Sequence, residues 1–233
     1  MTARAPRSRA ADLRERSVVF SGAEVGAALD GRKWQFRRVV DLSRVGFTPS
    51  WVGWVDHPDD GPGWYAQDVD QPYGEDSECW GEHRLTCPFG QPGGRLWCRE
   101  TWAVPGTVAR SDDPITPGMP VVYRADGEDP YSWRSPVTMP RWACRLVLDP
   151  IVEVRVQRLQ EISEADILAE GVEDYFHGCY SFDYLYLGYT AARANFRRFW
   201  DETQGKRPGC SWNDSRWVWC VSYRKLDISE PTP

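Results

Sequence analysis

The chain has 233 residues and a formal net charge of −6, with 41% hydrophobic, 27% charged and 13% aromatic residues. These are globular proportions, enough for one generous domain or two small ones, and they exclude long disorder. No stretch approaches the roughly 18 apolar residues of a membrane span, and the first residues lack the apolar core of a secretory signal, so a cytoplasmic protein is expected.

The charge is unevenly placed. Nine carboxylates (Asp56, Asp59, Asp60, Asp68, Asp70, Glu75, Asp76, Glu78 and Glu82) and no Lys or Arg lie between Trp51 and Glu82. An acidic, Trp-rich insert therefore sits in a mildly basic body, which permits nucleic-acid binding without demonstrating it. Only Lys33, Lys206 and Lys225 are lysines among 28 basic residues. The seven cysteines are odd in number and irregularly spaced, and read as reduced thiols. Cys79, His83 and Cys87 form the one metal-like spacing, which Gly81 and Pro88 keep off a regular helix; a fourth ligand would have to come from His57 or a carboxylate.

Along the chain, residues 1–16 are polar and Arg-rich, a frayed tail. Ser17 to Phe20 reads as a strand. Ser21 and Glu24 make a capping box for a helix through Leu29, which Gly31 ends in the left-handed conformation. Trp34 to Val40 reads as extended. Residues 45–91 show no clear period and read as a long irregular insert. Strands are expected at Arg95 to Trp102, at Val121 to Arg124 before the turn at Gly127, at Arg141 to Leu148, and at Ile151 to Leu159. In the last of these Val152, Val154 and Val156 share one face, and Glu153, Arg155 and Gln157 the other. Ser163 caps a helix, Ile162 and Ile167 fit a hydrophobic staple, and Gly171 ends the helix after Glu170. Thr190 to Glu202 reads as a helix with Ala192, Phe196, Phe199 and Trp200 on one stripe. Trp217 to Leu226 is a final strand, and residues 227–233 a tail. Strands dominate and the outermost elements are strands, the pattern of a small α+β barrel over residues 17–226 with short flanking helices. No repeat and no Gly-rich phosphate loop is present, and no cofactor is expected.

Several segments together resemble a phage- and prophage-encoded family of the ASCH class within the PUA-like superfamily. They are Val19-Phe20-Ser21, Leu29 to Val40, Cys87 to Gly93, Leu96 to Trp102, Met139 to Ala143, Ile162-Ser163-Glu164 with Ala169-Glu170-Gly171, and Trp217-Val218-Trp219. The resemblance runs from about Val18 to Leu226 and implies a PUA-like barrel. The family pattern G-x-K-x-x-E-x-R is met by Gly31, Lys33 and Arg37, with Phe36 at the Glu position. One ASCH branch removes an acyl group from N4 of acetylated cytidine with a Lys, a Thr three residues later and a Glu near the end of the following helix. On that likeness Lys33 and Glu170 are the catalytic candidates, and the Thr position holds Phe36. Other ASCH proteins are linked to ribonuclease activity or to nucleic-acid binding without catalysis.

Read from their chemistry, the same residues keep two meanings each. Lys33, just past a helix end, either complements the helix dipole or is a desolvated lysine tuned for proton transfer. Glu170 is either a solvated glutamate at an unfavourable helix end or the group that activates water. Glu100, on a core-facing stripe, needs a partner: an ion pair with Arg37, Arg38 or Arg141, or the amine of a cytosine-type base. Arg37 and Arg38 alternate on a strand, so one of them can face a cleft and hold a phosphate. Thr101, Trp102, Tyr123 and Arg141 complete the candidate ligand-binding set, the aromatics as stacking faces or as core.

Three functions stay open: a base-binding protein that hydrolyses an N-acyl amide, a non-catalytic reader of RNA or modified DNA, and an interaction module meeting a host protein through the acidic insert. The expected partner is a nucleoside, a nucleotide or single-stranded nucleic acid. The first reading requires Lys33, Glu100 and Glu170 on one face.

Overall fold

The computed structural model describes residues 3–4, 15–68, 81–107, 115–128, 132–172 and 191–224. Its spine is an antiparallel sheet in the order β1 (Ala3–Arg4), β11 (Ile151–Arg158), β12 (Trp217–Tyr223), β3 (Gln35–Val39). β12 buries both faces because its odd and even residues are both apolar. Trp219, Val221 and Tyr223 join the main core, while Val218 and Cys220 face a second cluster. That second cluster is built on α3 (Ala191–Thr203), whose Phe196 and Trp200 are buried beside Trp212.

The main core is closed by three further groups of elements. A mixed sheet places β7 (Leu96–Arg99) between β10 (Val147–Leu148) and β2 (Arg16–Val19). Helix α1 (Gly22–Leu29) follows β2, and β8 (Trp102–Ala103) pairs with β9 (Val122–Tyr123). An antiparallel sheet of β4 (Trp51–His57), β5 (Gly61–Gln67) and β6 (Glu82–Leu85) packs Trp64 edge-on against Trp219, ring centroids 5.2 Å apart. No described helix is long and apolar enough to cross a membrane.

The α+β class stands, but the described strands form separate small sheets and no closed barrel. Part of the expected irregular insert is the β4-β5-β6 sheet. Its period is hidden by Gly53, Gly61, Pro62 and Gly63, and Gly61 at φ +69° makes the hairpin turn. The expected strand at Arg141 to Leu148 is instead a 3₁₀ turn at Arg141–Ala143, followed by the short β10. Pro140, extended at the turn's entry, starts that turn and overrides the strand-like alternation. Val152 is exposed rather than on the Val154 and Val156 face, because a bulge between Ile151 and Glu153 shifts the alternation by one. Within the expected tail, Ala3–Arg4 pairs with β11 and Arg16 begins β2.

Candidate functional site

Two caps set the site. Ser21 accepts from the Glu24 amide at 3.3 Å, and the Ser21 amide donates to Glu24 Oε2 at 2.9 Å, the reciprocal box expected of α1. Helix α2 (Glu164–Ala169) starts at Ser163, which accepts from the Asp166 amide, and stops at Glu170 because Gly171 takes φ +70°. Ile162 and Ile167 are both buried in the second cluster, as the staple requires.

Between these helices the chain runs through Lys33. The Lys33 amide bonds back to Ala27 O, the Trp34 amide to Ala169 O, and Lys33 and Glu170 form an antiparallel bridge. The ammonium of Lys33 is completely buried. It donates to Glu170 Oε2 at 2.7 Å and to the Glu170 carbonyl at 3.1 Å, and stands 3.8 Å from Glu24 Oε1. The rings of Phe20 and Phe199 flank it, with centroids at 5.6 and 5.9 Å.

Strand β3 then sends its two arginines to opposite faces. Arg37 lies opposite Cys220 on the α2 side, and donates to Glu170 Oε1 at 2.8 Å and to Gln35 at 2.6 Å; its other nitrogen lies 3.0 Å from Asp166. Arg38 lies opposite Trp219 on the α1 side and donates to Glu24 at 3.1 Å. Asp166 also accepts from Arg155 at 2.5 Å. One network thus joins Glu24, Lys33, Glu170, Arg37, Arg38, Asp166 and Arg155. A charge left alone at such depth would cost several kcal/mol, by an order-of-magnitude argument. Here every carboxylate has a cation.

Burial alone would raise the Glu24 pKa, but the Arg38 and Lys33 charges and the Ser21 amide outweigh it and hold the carboxyl below its ordinary value. Burial opposes ionisation of Asp166 in the same way, and Arg37 and Arg155 again win, so its pKa is also lowered. A depressed folded pKa means stability that is complete above the unfolded value and lost as pH falls through the folded one. Stability is therefore expected to hold from neutral pH to about pH 4 and to fall steeply below it. A urea midpoint that stayed level down to pH 3 would contradict this pairing.

Glu24 and Glu170 also line a cleft of about 670 Å³, a volume that suits a nucleoside- to nucleotide-sized ligand. One wall is α1 with Ser21. The facing wall is Thr101 with the 3₁₀ turn Arg124–Asp126, and Arg32, Gly171, Val172 and Phe199 close the end. Lys33 and Arg37 lie behind the two carboxylates and do not reach the cleft.

Of the sequence candidates, Lys33, Glu170, Arg37 and Arg38 are brought together, and Thr101 lines the same cleft. Glu100 does not join them. It is buried under the neighbouring strand and holds Arg145 in a two-pronged bond, 2.9 Å on each side, so its partner is none of the arginines expected from sequence. Arg145 lies outside every segment that the sequence motifs single out. Arg141 is half-exposed and pairs with Glu15 at 2.7 Å. Trp102 is buried in a third cluster against Trp142, and Tyr123 donates to the Ala143 carbonyl with Arg145 stacked 4.0 Å above its ring. Neither aromatic is a free stacking face.

Cys79 lies outside the described residues; His83 is on β6, and Cys87 is a buried thiol that burial pushes up to about 12. Glu24, Asp166, Gln35, Arg32 and Arg124 were missed as site residues. The capping roles of Glu24 and Asp166 were readable from the sequence, but not their second bonds. No family model, curated protein or solved structure matches the chain.

Proposed function

We propose that this chain is a base-binding protein of the ASCH, PUA-like kind, which takes a nucleoside, a nucleotide or a single-stranded nucleic-acid base into the cleft between α1 and the Arg124–Asp126 turn. The observation that supports the reading is the cleft floor. Glu24 and Glu170, separated by 146 positions in the chain, both line one ligand-sized cavity, and the carboxylate of each is fixed by cations. Fixed carboxylates accept hydrogen bonds from exocyclic amines, the donor a cytosine-type base offers. Rigid backing of this kind costs little reorganisation on binding.

Amide hydrolysis on such a base is the second reading, favoured by the 2.7 Å contact between Lys33 and Glu170. Against it, Glu100 stands apart on Arg145 although hydrolysis requires it on one face with Lys33 and Glu170, Glu170 offers both oxygens to Lys33 and Arg37, and Phe36 is buried among Phe20, Phe89 and Tyr223 rather than beside the cleft. Binding is therefore the primary reading.

The test is equilibrium dialysis of the whole protein with cytidine, N4-acetylcytidine, and single-stranded RNA and DNA, followed by mass spectrometry of the recovered ligands. Saturable binding with ligands recovered intact supports the primary reading. Cytidine or acetate released from N4-acetylcytidine, lost in Lys33→Ala, makes the protein a hydrolase, and shortened RNA makes it a ribonuclease. Absence of saturable binding to every member overturns the base-binding proposal and leaves the acidic insert and a protein partner.

A further inference from the structure

Building on the base-binding reading, we infer that Arg124 and Thr101 form an anion subsite at the open wall of the cleft, which selects ligands carrying a phosphate next to the base. The argument starts from what the other cations are doing. Lys33, Arg37 and Arg38 are committed to Glu170 and Glu24, and Arg32 holds Asp30 at 2.7 Å while reaching the Gly171 carbonyl. Arg124 is the exception. It lines the cleft and is exposed, and its guanidinium makes no hydrogen bond or ion pair among the described residues.

Its nearest carboxylate in sequence, Asp126, is not available to it. Arg145 takes both Asp126 oxygens at 2.8 Å and both Glu100 oxygens at 2.9 Å. Two carboxylates are thus gathered on one arginine while the arginine beside the cleft has no counter-ion among the described residues. Thr101 stands next to it, because the Arg124 amide donates to the Thr101 carbonyl at 3.0 Å. The Thr101 hydroxyl likewise has no partner among the described residues, and it too lines the cleft. A guanidinium with an adjoining hydroxyl matches the oxygens of a phosphate.

The cleft is then two-ended. Glu24 and Glu170 accept from an amine on the floor, and Arg124 with Thr101 donates to an anion at the wall. A base bearing an exocyclic amine and a neighbouring phosphate satisfies both ends. That chemistry is shared by a free mononucleotide and by a residue of a single strand.

The test compares cytidine, cytidine 5′-monophosphate, a short oligocytidine and inorganic phosphate, by isothermal titration on the whole protein, for the wild type, Arg124→Gln and Thr101→Val. A charge-assisted phosphate contact predicts that the monophosphate binds about tenfold or more tightly than cytidine. Arg124→Gln should abolish most of that advantage. Since the Arg124 side chain is exposed and has no partner among the described residues, the variant should keep the wild-type melting temperature, which is measured alongside. Equal binding of cytidine, its monophosphate and oligocytidine to the wild type overturns the subsite and leaves the base-binding reading intact. A monophosphate advantage that survives Arg124→Gln also overturns it. Failure of cytidine, monophosphate and oligocytidine alike overturns the base-binding reading itself. Oligocytidine binding that is sensitive to Arg124→Gln, with a weak monophosphate, assigns the phosphate to a nucleic-acid backbone; the reverse assigns it to a free nucleotide.

Discussion

Glu170→Ala is expected to lower stability by about 3–5 kcal/mol, read from urea denaturation at neutral pH. The substitution removes the carboxylate that meets Lys33 at 2.7 Å and Arg37 at 2.8 Å. Lys33, wholly buried, would keep the residue-170 carbonyl at 3.1 Å, but its one remaining carboxylate would be Glu24 at 3.8 Å, which is already shared with Arg38. The double variant Lys33→Met with Glu170→Leu should behave differently. It removes both members of the Lys33–Glu170 pair at once and leaves Arg37 and Arg155 on Asp166 and Arg38 on Glu24, so no buried charge loses its last partner. Its loss is expected to fall short of the two single losses combined, with a coupling of about 0.5–3 kcal/mol. Simple additivity would show that the network is not electrically closed in this way.

Gly171→Ala is the second large effect. Gly171 has φ +70°, and an added Cβ would sit 2.9 Å from Lys33 Cβ, 3.0 Å from Ala27 Cβ and 3.2 Å from Lys33 Cα. The left-handed conformation alone costs a non-glycine residue about 1–2 kcal/mol. Forcing the contacts apart adds about 1–3 kcal/mol, since the crowding atoms belong to backbone and to the rigid base of a side chain. Gly106→Ala separates the two terms, because Gly106 has φ +77° with open space around it. It should show the smaller conformational cost only. Equal losses at the two glycines would rule out the close approach of Lys33 to the α2 terminus.

The local signals in the sequence were sufficient for the local structure. Ser21 with Glu24, Ile162-Ser163 with Ile167, and the glycines at 31 and 171 each carry their own geometry, and the helices start and stop where those residues place them. The pairing of Lys33 with Glu170 joins residues 137 positions apart. No local pattern contains it, and it entered through the resemblance of two short segments to a known family. The failures have two causes, turn residues that override periodicity and partners that lie far apart in the chain. Arg141 to Leu148 alternates like a strand yet follows Pro140 into a turn. Glu100 was correctly placed on a buried stripe, but its counter-ion was chosen from the arginines that the motifs made conspicuous. The sheet within the insert was hidden by the glycines and prolines that shape its hairpin.

The enclosure of Lys33 bears on how this chain can drift. Only three of its 28 basic residues are lysine, so arginine is the usual cation of this chain. At position 33 an exchange to arginine is closed by shape. The side chain is fully buried, its base lies so near Gly171 that a Cβ there would come within 2.9 Å of the Lys33 Cβ, and two phenylalanine rings flank its end. A planar five-donor fork has neither the room nor enough acceptors there, so an exchange that is neutral over most of this surface becomes a lesion at one codon.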